Sequence, residues 1–181
     1  MPRREPCGRC LRRSPTFDAT VAAFEYRFPI DRVVQRFKFA GDLALGRWLG
    51  ESLAHAVALE DRPDLIVAAP LSRARLRERG FNQAVVLAGR VGARHARRVD
   101  PGAIEKVRDT SPQQGLARDE RHANLRDAFR VRRSLSGAYV AMVDDVMTTG
   151  ATAEAMARAL REAGAARVVA WVLARTPEPG H

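Results

Sequence analysis

Two adjacent carboxylates, Asp144 and Asp145, follow the apolar run Tyr139-Val140-Ala141-Met142-Val143. After them comes the small, hydroxyl-rich stretch Thr148-Thr149-Gly150-Ala151-Thr152, opening a helix-forming segment from about Ala151 to Ala163. A buried strand that feeds a short polar loop and a helix N-terminus is an anion site, because the first helical N–H groups lack intrahelical acceptors and the helix dipole adds partial positive charge. The hydroxyls of Thr148, Thr149 and Thr152 add donors, and Gly150 permits a tight backbone path. The carboxylates suit sugar hydroxyls or a magnesium ion, which prefers hard oxygen ligands. Phosphate, sugar and hard cation together describe a phosphorylated ribose. Two acids at a strand end are also a common solvated turn; the full order of strand, acid pair, Thr-Thr-Gly-x-Thr and helix is what restricts the reading.

A second group of residues follows another apolar run, Leu65-Ile66-Val67-Ala68-Ala69. Pro70-Leu71-Ser72-Arg73 leads into four arginines, Arg73, Arg75, Arg77 and Arg79. Open α/β sheets bind ligands beyond the carboxyl ends of their strands, so this turn is a candidate for pyrophosphate contact, with a solvated basic face as the alternative. From Arg108 to Asp127 the chain is polar and without a strong apolar stripe. A stretch of that length inside a compact domain is either a functional lid, here carrying Arg108 and Arg121, or a partly helical surface excursion. Cys7 and Cys10 supply half the ligands of a tetrahedral zinc site. The four histidines lie far from them and lack metal-ligand spacing, so a complete zinc site is not expected in this chain. A coding start upstream of Met1, carrying a further cysteine pair, would account for the half-motif.

These residues need a scaffold. At 181 residues the chain is long enough for one domain with a real core. No apolar run approaches the roughly eighteen residues of a membrane span, and the N-terminus has no apolar signal-peptide core, which places the protein in the cytoplasm without membrane insertion. Lys+Arg total 31 against 21 Asp+Glu, a formal charge of +10, which favours anionic partners. Arginine far outnumbers lysine, as base composition alone can cause. Residues 11–29 read as irregular or short extended structure. Ile30, Val33, Val34 and Phe37 recur at helical spacing, Gly41 breaks that helix, and Asp42 caps a second one with the stripe Leu45, Trp48, Leu49, Leu53 and Ala56. Asn82 caps a helix with Ala84, Leu87, Ala88 and Val91 on one face. Short strands are expected around Ala103–Val107 and Ala128–Val131, and a last buried strand over Val168–Leu173. The unalternating apolar runs predict a parallel sheet flanked by helices, a Rossmann-like α/β fold with an N-terminal helical cover. The expected organisation is an N-terminal segment over 1–29, one domain over 30–175 and a flexible tail over 176–181.

The order Val143-Asp144-Asp145-x-x-Thr148-Thr149-Gly150-x-Thr152 resembles the motif by which type I phosphoribosyltransferases hold 5-phosphoribosyl-1-pyrophosphate (PRPP). Arg79-Gly80-Phe81-Asn82-Gln83 after Ala69-Pro70-Leu71, and Arg108-x-Thr110-x-x-Gln113-x-x-Leu116 with Arg121, Asn124 and Ala128-Phe129, narrow the resemblance to the ComF family, linked to competence and DNA uptake. Tyr26 and Leu43-Ala44-Leu45-Gly46 fit more loosely. The resemblance covers roughly residues 30–175. It implies that Asp144 and Asp145 hold the ribose hydroxyls, with magnesium bound directly or through water, and that residues 148–152 wrap the 5′-phosphate. Pro70–Arg73 would take the pyrophosphate-loop position and residues 108–124 the flexible catalytic loop. Members of the family are similar in carrying two Cys-x-x-Cys pairs that form a zinc finger; here only Cys7 and Cys10 stand. The implied roles are a PRPP-dependent transferase of unknown acceptor, an accessory protein for single-stranded DNA or the competence machinery, or a PRPP sensor. Aromatic content of 6%, with most of it reading as buried, counts against a strand-stacking surface.

Overall fold

The computed structural model describes residues 14–107 and 128–177. In chain order these form β1 (Ala19–Glu25), α1 (Ile30–Ala40), α2 (Leu43–Ala56), β2 (Leu65–Ala68), α3 (Arg73–Arg79), α4 (Gln83–His95), β3 (Ile104–Lys106), β4 (Phe129–Val131), β5 (Tyr139–Met147), α5 (Ala151–Glu162) and β6 (Arg167–Arg175). Four strands make one parallel sheet in the order β1-β6-β5-β2, while β3 and β4 pair antiparallel by themselves.

The parallel sheet follows from strands that are apolar at every position. In β6 the residues from Val168 to Ala174 are all buried, and neighbouring strand residues point to opposite faces, so both faces are covered. Helices α2 and α4 pack on each other and on the sheet, and α5 packs on β5, β6 and β4. Phe37, Leu49, Leu53, Leu87 and Trp171 are fully buried between these layers. Each such side chain contributes roughly 1.5–3 kcal/mol of transfer free energy. The caps fall where the residue types place them. The Asp42 carboxylate accepts the Leu45 N–H at 2.9 Å, Asn82 Oδ1 accepts the Ala84 N–H at 2.9 Å, and Gly41 ends α1 at φ 62°.

Three expectations change. Residues 19–25, expected to be irregular or short extended, form a full strand of the main sheet, so the sheet begins upstream of residue 30. Their half-buried edge position dilutes the apolar pattern that marks an inner strand. Just before it, the Asp18 carboxylate accepts the Val168 N–H at 2.7 Å and pairs with Arg161 at 2.6 Å, fixing the register against β6. The arginine run, read as a turn, is the short helix α3, because Ser72 accepts the Arg75 N–H and caps it. Strand β5 does not stop at Val143: its ladder with β6 continues through Asp144↔Val172 to Met147↔Arg175. Among the described residues no helix is long and apolar enough to cross a membrane. Cys7, Cys10, Arg108, Arg121, the polar stretch to Asp127 and the last residues of the tail lie outside the described residues.

Gly164 joins α5 back to the sheet. Its φ is 101°, and a Cβ there would lie 3.1 Å from the Ser136 Cα, while Leu135 and Gly137 donate to the carbonyls of Ala163 and Gly164. Gly164→Ala is therefore expected to destabilise the fold by roughly 1–3 kcal/mol, read as a lowered urea midpoint with an unchanged slope.

Candidate ligand site at the carboxyl ends of β2 and β5

Strands β2 and β5 are neighbours, and the chain leaves their carboxyl ends in opposite directions. From β5 it passes through α5 to β6. From β2 it passes through α3 and α4 to Val99, which bridges Ile66 on the far side of β2. This is the crevice where open parallel sheets bind ligands. Pairing between the two strands ends at Ala68↔Val143, with one further bond from the Ala69 N–H to the Val143 carbonyl at 2.8 Å. Pro70 then turns the chain away. The last residues of β5, beginning at Asp144, are laddered only to β6 and border an open cavity of about 290 Å³. Asn82 pins the opposite wall by donating from Nδ2 to the Ala69 carbonyl at 3.0 Å.

Both carboxylates reach this cavity. Asp144 accepts the Asp145 backbone N–H at 2.8 Å, and Asp145 pairs with Lys38 Nζ at 3.0 Å. Burial pushes the Asp144 carboxyl up to about 7, and the neighbouring Asp145 charge adds to the rise. The Asp145 N–H and the Lys38 ammonium oppose it without cancelling it.

Of the loop residues, Thr148 and Thr152 line the cavity, while Thr149 accepts the Ala151 N–H at 3.4 Å through Oγ1. Gly150 takes φ 77° and offers no side-chain cap, so Ala151, buried, begins α5 with its first-turn amides at the loop. From the β2 side come Pro70, Leu71, Ser72, Arg75 and Arg79. Arg73, expected at the site, does not line it. It sits close enough to Glu105 of β3 to help lower that carboxyl, whose main partner is Arg132. The physical reason is helical phase. Arg75 and Arg79 are four residues apart on one face of α3, and Arg73 cannot share that face with Arg79.

Of the other lining residues, Tyr26, Gln83 and Phe129 stood in the resemblance without a site role, and Lys38 and Lys106 carried no local signal. A global one existed, since Lys38 and Lys106 are the only lysines among 31 basic residues and both line the cavity. Two buried polar atoms here lack partners, Arg79 Nε and Gln83 Oε1. The Arg79 guanidinium lies 5.2 Å from the Phe39 ring centroid. Phe39 is exposed, as are Phe28 and Trp48, so the aromatics are less fully buried than the sequence implied. His95 is a core residue, 5.5 Å from the Trp171 ring; burial first, then Arg62 and Arg94, lowers its pKa. Among the described residues no group of three or more His, Cys, Asp or Glu could hold a metal ion. The hard oxygens of Asp144 and Asp145 fit magnesium only as part of a set completed by a ligand.

A family model described as "Phosphoribosyl transferase domain" matches residues 51–180. DNA utilization protein YhgH of Salmonella typhi is 35% identical over 177 residues, covering 94% of this chain and 78% of that protein. Competence protein F of Haemophilus influenzae is 33% identical over 182 residues, covering 93% and 78%. Among solved structures, the glutamine PRPP amidotransferase from B. subtilis aligns at 22% identity with a TM-score of 0.48, over 70% of this chain and 25% of that one.

The raised Asp144 carboxyl has a consequence for folding. Its ordinary value is 3.8 and its folded value about 7, so between them the folded chain holds a proton that the unfolded chain releases. That contribution to stability falls as pH rises through this window and is flat above it. Asp144→Asn removes the carboxyl. Its urea stability relative to wild type is expected to rise from pH 4 to pH 7, and a difference constant across that range would refute the assignment.

Proposed function

Because the chain belongs to the phosphoribosyl transferase domain family, and within it to the ComF group of competence proteins, we propose that the crevice binds PRPP or a related phosphoribosyl ligand with Mg2+. The observation that carries this reading is the pairing of two carboxylates with a threonine loop and a helix N-terminus at the open end of β5. In this reading the ribose 2′- and 3′-hydroxyls donate to Asp144 and Asp145. The 5′-phosphate accepts from the hydroxyls and backbone amides of residues 148–152. Arg75, Arg79 and Lys106 face the pyrophosphate, with Pro70, Leu71 and Ser72 shaping that wall. By the family resemblance Arg108 and Arg121, which lie outside the described residues, would add charge to the ligand from the 108–124 stretch.

The chemistry is displacement at C1 of the ribose: a nitrogen nucleophile forms the new bond as the C1–O bond to pyrophosphate breaks. The chain's work is to orient the ribose and to neutralise the leaving group. Magnesium held together with the ligand would supply Lewis-acid charge neutralisation, and Asp144 and Asp145 are the residues that would hold it, directly or through water. The nitrogen acceptor decides between a pentosyltransferase and a PRPP sensor. The proposed setting is the cytoplasm, with a role in competence and DNA uptake. That part rests on the names of the relatives, and the net charge of +10 agrees with a single-stranded DNA partner.

Calorimetric titration of PRPP with magnesium tests the site. Wild type is expected to bind, and the double variant Asp144→Ala/Asp145→Ala to lose about 100-fold or more, the cost of two charge-assisted hydrogen bonds. Equal binding by the two proteins, or none by wild type, would sink the reading. Pyrophosphate release measured with a panel of purine and pyrimidine bases then separates transferase from sensor.

A further inference from the structure

Lys38 reaches the carboxylate pair from a distant element. It stands near the C-terminal end of α1, and its Nζ lies 3.0 Å from Asp145 Oδ2 with both side chains largely buried, 18% and 14% exposed. Its backbone is held in place twice. Phe37 beside it is fully buried against Phe81, with ring centroids 5.5 Å apart, and the Lys38 carbonyl accepts from Gln83 Nε2 at 3.5 Å. Gln83 itself is buried, at 1% exposure. The residue type is also informative. In a chain whose basic residues are otherwise arginine, the cavity is lined by both of its lysines. An ammonium concentrates its charge on one small nitrogen and fits beside a carboxylate where the planar guanidinium fork needs more room.

We propose that Lys38 is the resident cation of the Asp144–Asp145 pair, which keeps a bare divalent ion out and leaves the pair as a clamp for a neutral vicinal diol. The inference rests on the phosphoribosyl reading and deepens it: the metal enters only on a ligand that has already supplied most of its oxygens. A free dication has to shed water to bind, and the protein offers it two carboxylates, one of them already bonded to an ammonium. Bringing two further positive charges beside Lys38 is unfavourable in a half-enclosed cavity where screening is weak. A diol meets no such barrier, since its O–H groups donate to the remaining carboxylate lone pairs and bring no charge. A metal carried on pyrophosphate arrives with its charge neutralised. Lys38 thereby sets the order of binding, and it acts as a positioning residue by holding Asp145 in place.

The test uses Mn2+ alone, titrated into the full chain by calorimetry or electron paramagnetic resonance. Wild type is expected to show no Mn2+ site that depends on Asp145. Lys38→Met is expected to gain one, about tenfold or more tighter than any such site in wild type, and Lys38→Met/Asp145→Asn to lose it again. Lys38→Arg keeps the charge and should keep Mn2+ out. A merely structural role for Lys38 does not create a metal site, so the gain is specific. Lys38→Gln carries the same test should the methionine variant fail to fold. An Asp145-dependent Mn2+ site of equal strength in wild type, or none in either neutral variant, overturns the proposal. Neither result bears on whether wild type binds PRPP with magnesium, so failure here and failure of the phosphoribosyl reading are told apart.

Discussion

The end of β5 holds two carboxylates on a strand that has lost its partner on one side. Pairing with β2 stops at Val143 because Pro70 carries the neighbouring chain away, while pairing with β6 continues to Met147. Asp144 and Asp145 are thus fixed by half a sheet and open to a cavity on the other half. Much of the rest of the molecule bears on that opening. The buried sheet keeps the strand rigid, Asn82 pins the opposite wall, and the Gly150 turn starts α5 beside it.

Electrostatics sets the character of the opening. Adjacent carboxylates in a half-enclosed space resist sharing two negative charges, and the chain answers by raising the Asp144 carboxyl and setting the Lys38 ammonium on Asp145. The remaining charge around the cavity is positive, from Arg75, Arg79 and Lys106, beside a helix N-terminus. A ligand that suits this arrangement is neutral where it meets the acids and strongly anionic on either side. A ribose with phosphates at both ends has that distribution. A polyanion without a diol does not.

How much of this was legible in the sequence depends on how far apart the participating residues lie. The acid pair and the threonines are consecutive, so their order alone points to phosphate and sugar, and the unalternating apolar runs give the parallel sheet. Lys38 and Lys106 are brought in by packing of α1 and β3, and no local pattern announces them; Tyr26, at the end of β1, fits the resemblance only loosely. Lysine scarcity was the overlooked clue. Within the arginine run Arg73 falls outside the cavity for a reason of phase: until Ser72 is known to start a helix, nothing says that Arg75 and Arg79 face the cavity and Arg73 does not. Strand β1 was obscured because an edge strand is only half-buried and its sequence need not be uniformly apolar.

The central claim is that the open end of β5 is a phosphoribosyl site, and a crystal structure of the chain grown with PRPP and magnesium tests it most directly. The account predicts the ribose hydroxyls within hydrogen-bonding distance of Asp144 and Asp145, with the 5′-phosphate on residues 148–152 and the pyrophosphate toward Arg75 and Arg79. A ligand bound elsewhere with this crevice empty, or one whose phosphate rather than ribose meets the two carboxylates, would contradict it.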